Sequence, residues 1–255
     1  MNVNRNKLLV YKDKGCFDIS NLIDSLNIYF PNYSVETINA NEIIETKKLN
    51  SSVLALFISG GIANHYFESL GEIGNKKIRE YVLNGGIYFG ICAGAYYACR
   101  DVEFETEIPE SSIKIQYKLD LINALAKGTL YKDLRIQPFR NNPESSAVVK
   151  ISSANKLEKY SALYHGGPFF ETDEKYDILG YYQIKGKKIP AILMSNFGNG
   201  KVFASGVHFE YDAKTFGSLL PYMSKNPTYK DLLRKLKRQE KNRRKLFNLL
   251  MEKIK

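Results

Sequence analysis

Apolar and polar positions alternate in blocks along the first hundred residues. Four segments have the pattern of strands, and they are residues 7–12, 34–38, 52–59 and 87–91. Four segments between or after them have the pattern of helices, and they are residues 18–30, 41–47, 76–83 and 93–100. This repeated alternation predicts an α/β protein with a parallel sheet and helices on both faces.

The pattern changes after Asp101. Short strand-like pieces at 102–105, 112–116 and 147–151 are separated by turns rich in Pro and Asn, which predicts a β-rich insertion. Residues 178–184 and 189–195 are expected to pair as strands across the turn at 185–188. A further strand is expected at 200–207, ending at His208.

The formal charge of +10 is concentrated at one end of the chain. Residues 230–255 contain eleven Lys or Arg against three Asp or Glu, a net charge of +8 that leaves about +2 for the rest. Leucines recur at helical spacing in this segment, so we expect a basic amphipathic helix docked on a main domain of residues 1–229. The helix is a possible docking site for a protein partner. Because it carries few aromatic residues, nucleic-acid binding is not favoured.

Cysteine usage and hydropathy indicate the compartment. The chain has three cysteines, an odd number too small for a disulfide framework. Neither a signal-peptide pattern nor an apolar run of roughly 18 residues is present, so no membrane span is expected. We therefore expect a cytoplasmic protein with reduced thiols.

Cys92 is the candidate nucleophile. It lies between a predicted strand and a predicted helix, within Gly90-x-Cys92-x-Gly94, which is the thiol form of a nucleophile elbow. The sharp turn strains the backbone, and a glycine two positions before and after relieves the crowding. The turn also directs the sulfur to the carboxyl end of the sheet, where open α/β folds bind ligands, and the start of a helix favours the thiolate.

A cysteine nucleophile needs a base and an oxyanion hole. His208 is the candidate base and Glu210 its orienting group, because residues two apart in an extended segment point to the same side. The expected oxyanion donors are the N–H of Ala93 and that of Gly61 or Ile62. Gly60 and Gly61 together allow the close backbone approach that such a hole requires.

Each of these features has an ordinary structural explanation when taken alone. A buried cysteine is more often a small hydrophobic residue, and a Gly-Gly pair after a strand is usually a turn. Their order along the chain, each at the end of a strand, favours the catalytic interpretation. His65 is expected at the surface or as a helix cap, with a pocket position as the alternative, and His165 is expected in a second loop over the site. No metal-ligand spacing is found, so neither a metal nor a cofactor is expected.

Several segments resemble class I glutamine amidotransferase-like proteins. They are Ser59-Gly60-Gly61, the stretch GICAGAYY at 90–97 and VHFE at 207–210. More narrowly, the chain is similar to the family named for the N-terminal domain of biotin–protein ligase. Residues 85–105 (ending in EFE), residues 10–15 and the stretch HGGPF at 165–169 also match that family. The resemblance runs from about Leu8 to about Tyr211.

The resemblance implies a flavodoxin-like, doubly wound sheet and a triad of Cys92, His208 and Glu210. Two residues depart from the pattern of the glutamine amidotransferases, since Ser59 replaces the usual Pro of their oxyanion loop and Phe209 replaces the Pro of their His-Pro-Glu. The implied substrate is a small amide or acyl compound, with glutamine by analogy, reacting through a thioester. No Gly-Arg-rich adenylate-binding motif is found, so biotin ligation is not expected from this chain alone. The alternative is a non-catalytic binding or regulatory module.

Overall fold

The fold is known from a computed structural model that describes residues 5–17, 19–106, 112–154, 157–219 and 225–255. The strands, in chain order, are β1 Lys7–Tyr11, β2 Ser34–Ile38, β3 Val53–Ile58, β4 Ile87–Ile91, β5 Cys99–Phe104, β6 Ile113–Ile115, β7 Ile122–Gly128, β8 Ser146–Ser152, β9 Lys159–His165, β10 Phe169–Glu171, β11 Asp177–Ile184, β12 Lys187–Phe197 and β13 Gly200–Ser205. The helices are α1 Ser20–Tyr29, α2 Ala40–Glu45, α3 Ala63–Leu83, α4 Ala93–Ala98, α5 Tyr131–Leu134, α6 Ala213–Leu219 and α7 Pro227–Glu252, with a 3-10 turn at Pro143–Ser145.

Nine of the described strands form one sheet in the order β2-β1-β3-β4-β13-β12-β11-β8-β9. Strands β2, β1, β3, β4 and β13 are parallel to one another. The remaining four continue the sheet with antiparallel pairing. A smaller sheet of β10, β7, β5 and β6 lies beside α4. The predicted α/β sheet with a β-rich insertion is confirmed.

Helices cover both faces of the large sheet. On one face, α1 and α7 contribute buried side chains to the same core as Leu8, Val10 and Phe89. On the other face, α2, α3 and α4 pack against Leu9, Leu56 and Tyr88. Since successive side chains of a strand point to opposite faces, the nearly continuous apolar strands supply both cores.

Several predicted boundaries were wrong. The helix predicted at 76–83 is the second half of α3, which begins at Ala63 and kinks at Gly71, where φ is +55°. The helix predicted to reach residue 100 stops at Ala98, because the next residues already pair in β5. The first predicted helix starts at Asp18, which lies outside the described residues, and α1 is observed from Ser20.

The basic C-terminal segment forms α7, as predicted. Its apolar side is buried, with Leu246, Leu250 and Met251 in the core shared with the sheet. Leu232 and Leu236 join a smaller cluster with Tyr229 and residues before α7. Across the described ranges, no helix combines the length and the apolar character needed to cross a membrane.

Candidate active site

Cys92 lies in a strained turn between β4 and α4. Its φ of +51° and ψ of −106° are unusual for a residue with a side chain. The two flanking glycines are required sterically: a Cβ on Gly90 would collide with the carbonyl of Gly94, and one on Gly94 with that of Ile58. The Cys92 N–H donates to the carbonyl of Ser205 at 2.8 Å, which ties the turn to β13.

His208 and Glu210 lie on the segment that follows β13, and both are buried. Nδ1 of His208 donates to Oε1 of Glu210 at 2.7 Å. Oε2 of Glu210 has no hydrogen-bond partner within the described residues, so the carboxylate interacts mainly with the imidazole. The His208 backbone is held from the other side by Leu163 in β9, through N–H to carbonyl bonds of 2.8 and 3.3 Å.

The side chains of Cys92 and His208 lie next to each other, close enough for their charges to interact. Burial alone lowers the pKa of His208, but the negative charge of Glu210 and the contact with Cys92 outweigh burial and raise this pKa above its ordinary value. Gly60 borders both groups: a Cβ placed there would be 2.6 Å from Cε1 of His208 and 3.6 Å from Cβ of Cys92. The arrangement therefore favours an imidazolium beside a sulfur.

Three predicted oxyanion donors lie in the loop after β3 and at the start of α4. The Ile62 N–H donates to the carbonyl of Gly15 at 2.9 Å and is therefore occupied. The N–H groups of Gly61 and Ala93 have no acceptor among the described residues. Gly61 cannot carry a side chain, because a Cβ there would meet the Gly15 carbonyl and the hydroxyl of Tyr66. Of the two alternatives for the second donor, only Gly61 is free.

Two cavities flank the site. One, of about 270 Å³, is bordered by Cys92, Gly61 and Ala93. The other, of about 230 Å³, is bordered by His208 and His165 and not by Cys92. Cys92 and His208 thus border different cavities.

The two other histidines occupy different environments. The carbonyl of His165 lies 3.5 Å from Sγ of Cys92, and its Nδ1 forms a 2.9 Å hydrogen bond with Oγ of Ser146. Burial and the neighbouring His208 lower the pKa of His165 to about 4, so its ring is neutral at pH 7. His65 pairs with Glu68 on α3 at 2.9 Å and lines neither cavity.

The C-terminal helix reaches this site through Arg243, a residue that the sequence reasoning did not select. Its guanidinium is buried and donates to the carbonyl of Phe209, between His208 and Glu210, at 2.6 Å. The same guanidinium pairs with both carboxylate oxygens of Glu240, at 2.9 and 2.8 Å. Arg243 looked like one of many cations in the sequence, and only its helical spacing with the buried Leu246 and Leu250 indicated an inward position.

A cluster of three or more His, Cys, Asp or Glu side chains suited to a metal is not found in the part of the chain that the structure describes.

The sequence was also compared with protein families. The model of the family described as "Biotin-protein ligase, N terminal" matches residues 6–255, almost the whole chain. The chain belongs to this family. The match extends through α7, beyond Tyr211, where the resemblance was expected to end.

Two relatives illustrate the range of this family. The biotin–protein ligase of Schizosaccharomyces pombe is 25% identical over 215 residues, which cover 81% of this chain but only 34% of that protein. The chain thus spans about a third of the length of this relative. An uncharacterized protein of Chlamydia muridarum is 29% identical over 219 residues, covering 82% of both chains.

Solved structures of glutamine amidotransferases share the fold. One from Thermotoga maritima superposes with a TM-score of 0.61 at 14% identity, covering 98% of each chain. Another has a TM-score of 0.54 at 16% identity and covers 89% of this chain and 97% of its own. At such identities the likeness shows the fold alone, and it confirms the expected flavodoxin-like architecture of this family member.

Proposed function

We propose that the protein is a cysteine-dependent hydrolase or amidotransferase that acts on an amide or other acyl carbon. The observation that carries this proposal is the strained Cys92 held against the buried His208–Glu210 pair. A positive φ at a residue with a side chain is costly and persists mainly where surrounding structure enforces it, often at functional sites. The small-molecule site of the amidotransferase fold supports the same proposal.

The reaction would pass through a thioester. The Cys92 thiolate attacks the acyl carbon, and the N–H groups of Gly61 and Ala93 stabilise the oxyanion that forms. As the bond between carbon and the leaving group breaks, His208 gives its proton to that group. Water or an amine, deprotonated by His208, then attacks the thioester carbon and releases the Cys92 thiolate. Glu210 keeps the imidazole oriented throughout.

Biotin ligation is not part of this proposal. The Schizosaccharomyces pombe relative carries that name, but the chain matches only 34% of it. No adenylate-binding motif was found in the sequence. Glutamine, the substrate suggested by the amidotransferase fold, enters by analogy only.

The test is the alkylation rate of Cys92 by iodoacetamide at pH 7, followed by peptide mass spectrometry. Cys16 and Cys99 act as internal references, because burial raises the pKa of both thiols, that of Cys99 strongly. We expect Cys92 to react at least tenfold faster than either reference. His208→Ala should slow the reaction of Cys92 by about 10²-fold or more, and Glu210→Gln should slow it less, since Gln still accepts a hydrogen bond.

A binding or regulatory module is the second candidate, and the small exposure of Cys92, 7%, is the observation that favours it. In that case Cys92 would react no faster than Cys16, and His208→Ala would leave the rate unchanged. A protein partner on α7 also stays a prediction. Its leucine side is already covered by this chain, so such a partner would have to bind the basic, exposed side.

A further inference from the structure

The cavity beside Cys92 is enclosed by apolar side chains. Its walls are formed largely by Ile62, Val102, Phe104, Ile113 and Phe139, and its volume of about 270 Å³ is near the small end of ligand cavities. The rings of Phe104 and Phe139 meet edge to face, with centroids 5.6 Å apart. Of the described residues that line this cavity, none carries a formal charge.

The two tyrosine hydroxyls of the cavity are already engaged. The hydroxyl of Tyr96 donates to the carbonyl of Gly166 at 3.1 Å. The hydroxyl of Tyr117 donates to Oδ1 of Asn64. A free carboxylate in this cavity would therefore meet no Lys or Arg side chain among the described residues that line it.

The chemistry of the site decides which part of a substrate enters this cavity. The carbonyl oxygen of the substrate must lie at the N–H groups of Gly61 and Ala93. Both residues border this cavity. The leaving group must face His208, which borders the other cavity and not this one. The acyl side of the substrate therefore extends from Cys92 between the walls formed by Phe104 and Phe139.

We propose that the Cys92 cavity takes an uncharged, apolar acyl group, a short branched aliphatic chain or a single aromatic ring, and not a free amino acid such as glutamine. This inference rests on the proposed function, because it assumes that Cys92 attacks the acyl carbon. An α-ammonium and an α-carboxylate would lose hydration here without meeting a side chain of opposite charge among the described lining residues. An apolar group of the same size gains from leaving water.

Two affinity labels of the same skeleton test the inference. One is isobutyl chloromethyl ketone, and the other is the chloroketone analogue of glutamine, in which an ammonium and a carboxylate replace the two methyl groups. With either label, the Cys92 thiolate attacks the carbon that carries the chlorine, a carbon–sulfur bond forms and chloride leaves. The second-order rate constant for Cys92 is measured by mass spectrometry and divided by the rate of the same label with glutathione.

We expect the isobutyl label to have the larger normalised rate by at least tenfold, with saturation at high concentration. An equal or larger rate for the glutamine analogue would overturn the inference and leave the proposed function intact. If iodoacetamide also labels Cys92 no faster than Cys16, the proposed function fails, and the inference fails with it.

A pair of variants links the selectivity to this cavity. Ile113→Arg places a cation in its wall from the half-buried strand β6. Gln116→Arg adds the same charge nearby, at an exposed position that does not border the cavity. Ile113→Arg should shift the ratio of the two rates toward the glutamine analogue by about tenfold, while Gln116→Arg leaves the ratio unchanged. Identical ratios in both variants would place the acyl group elsewhere and overturn the inference.

Discussion

Alanine at position 60 is the smallest change that tests whether His208 must lie close to Cys92. The new Cβ would be 2.6 Å from Cε1 and 3.4 Å from Nε2 of the imidazole. Non-bonded carbon atoms need about 3.5 Å, so the ring has to move by about 1 Å. Gly60 is not among the residues with positive φ, so its backbone accepts alanine without strain.

The expected cost follows from this displacement. A misplacement of about 1 Å at a reacting group costs roughly 10²-fold in rate, which corresponds to about 2.7 kcal/mol of activation free energy. The ring has little freedom to find another productive position, because Glu210 holds Nδ1 and Leu163 holds the backbone. We therefore expect Gly60→Ala to slow the alkylation of Cys92 by iodoacetamide at pH 7 by about 10²-fold.

Gly217→Ala is the matched control. A Cβ on Gly217, in α6, would meet Leu233 at an ordinary 3.5 Å. This variant should retain the wild-type alkylation rate. Circular dichroism and urea unfolding report whether both variants fold. A folded Gly60→Ala protein that alkylates at the wild-type rate would refute the role of His208 as the base for Cys92.

Two further predictions concern buried groups around the site. Arg243→Met should lower the free energy of unfolding by about 2 kcal/mol, because the Phe209 carbonyl and Glu240 lose a charged donor; an unchanged urea midpoint would contradict this. His165→Gln tests the neutral histidine. The pKa of His165 is about 4 in the folded protein against an ordinary 6.5. Below pH 6.5 the unfolded chain therefore takes up more protons than the folded protein, and the free energy of unfolding decreases as the pH is lowered. From pH 8 to pH 5 this contribution is about 2 kcal/mol. We measure the free energy of unfolding of both proteins in urea. The value for the variant minus the value for wild type should increase by about 2 kcal/mol as the pH is lowered from 8 to 5. Since His208 remains in both proteins, its opposite contribution largely cancels, and a constant difference would show that His165 is charged or exposed.

The parallel half of the sheet was predictable because its signals are local. The strands at 34–38 and 87–91 are observed with the predicted bounds, and the glycines around Cys92 marked the turn. Gly94 has no room for a side chain beside the backbone, so the position requires glycine, and that glycine can be recognised from the sequence alone. The pairing of His208 with Glu210 followed from their spacing of two residues.

The β-rich half and the walls of the cavity were not predictable in this way. Strand β9 was missed, although it carries His165 and supports His208 through Leu163. The cavity combines Phe104 from the small sheet with Phe139 from a loop, and only long-range packing brings them together. Arg243 lies 34 positions from Phe209, so no short-range pattern links them.

The two departures from the pattern of the glutamine amidotransferases are compensated by different contacts. In the loop after β3, the carbonyl of Ser59 accepts hydrogen bonds from the Gly94 N–H and the Tyr66 hydroxyl, both at 3.2 Å. Any residue at position 59 supplies this carbonyl, so proline is not needed to connect the loop after β3 to the turn at Cys92.

Phe209 compensates for the second departure through its side chain and its carbonyl. Its ring packs against Phe89 of β4 and Phe247 of α7, with centroids 5.4 and 5.9 Å away. Its carbonyl is fixed by Arg243, also from α7. A proline would restrict the backbone between His208 and Glu210 by its ring; here the basic helix restricts the same segment by packing. The C-terminal helix, which the family match includes, therefore supports the candidate site through Phe209.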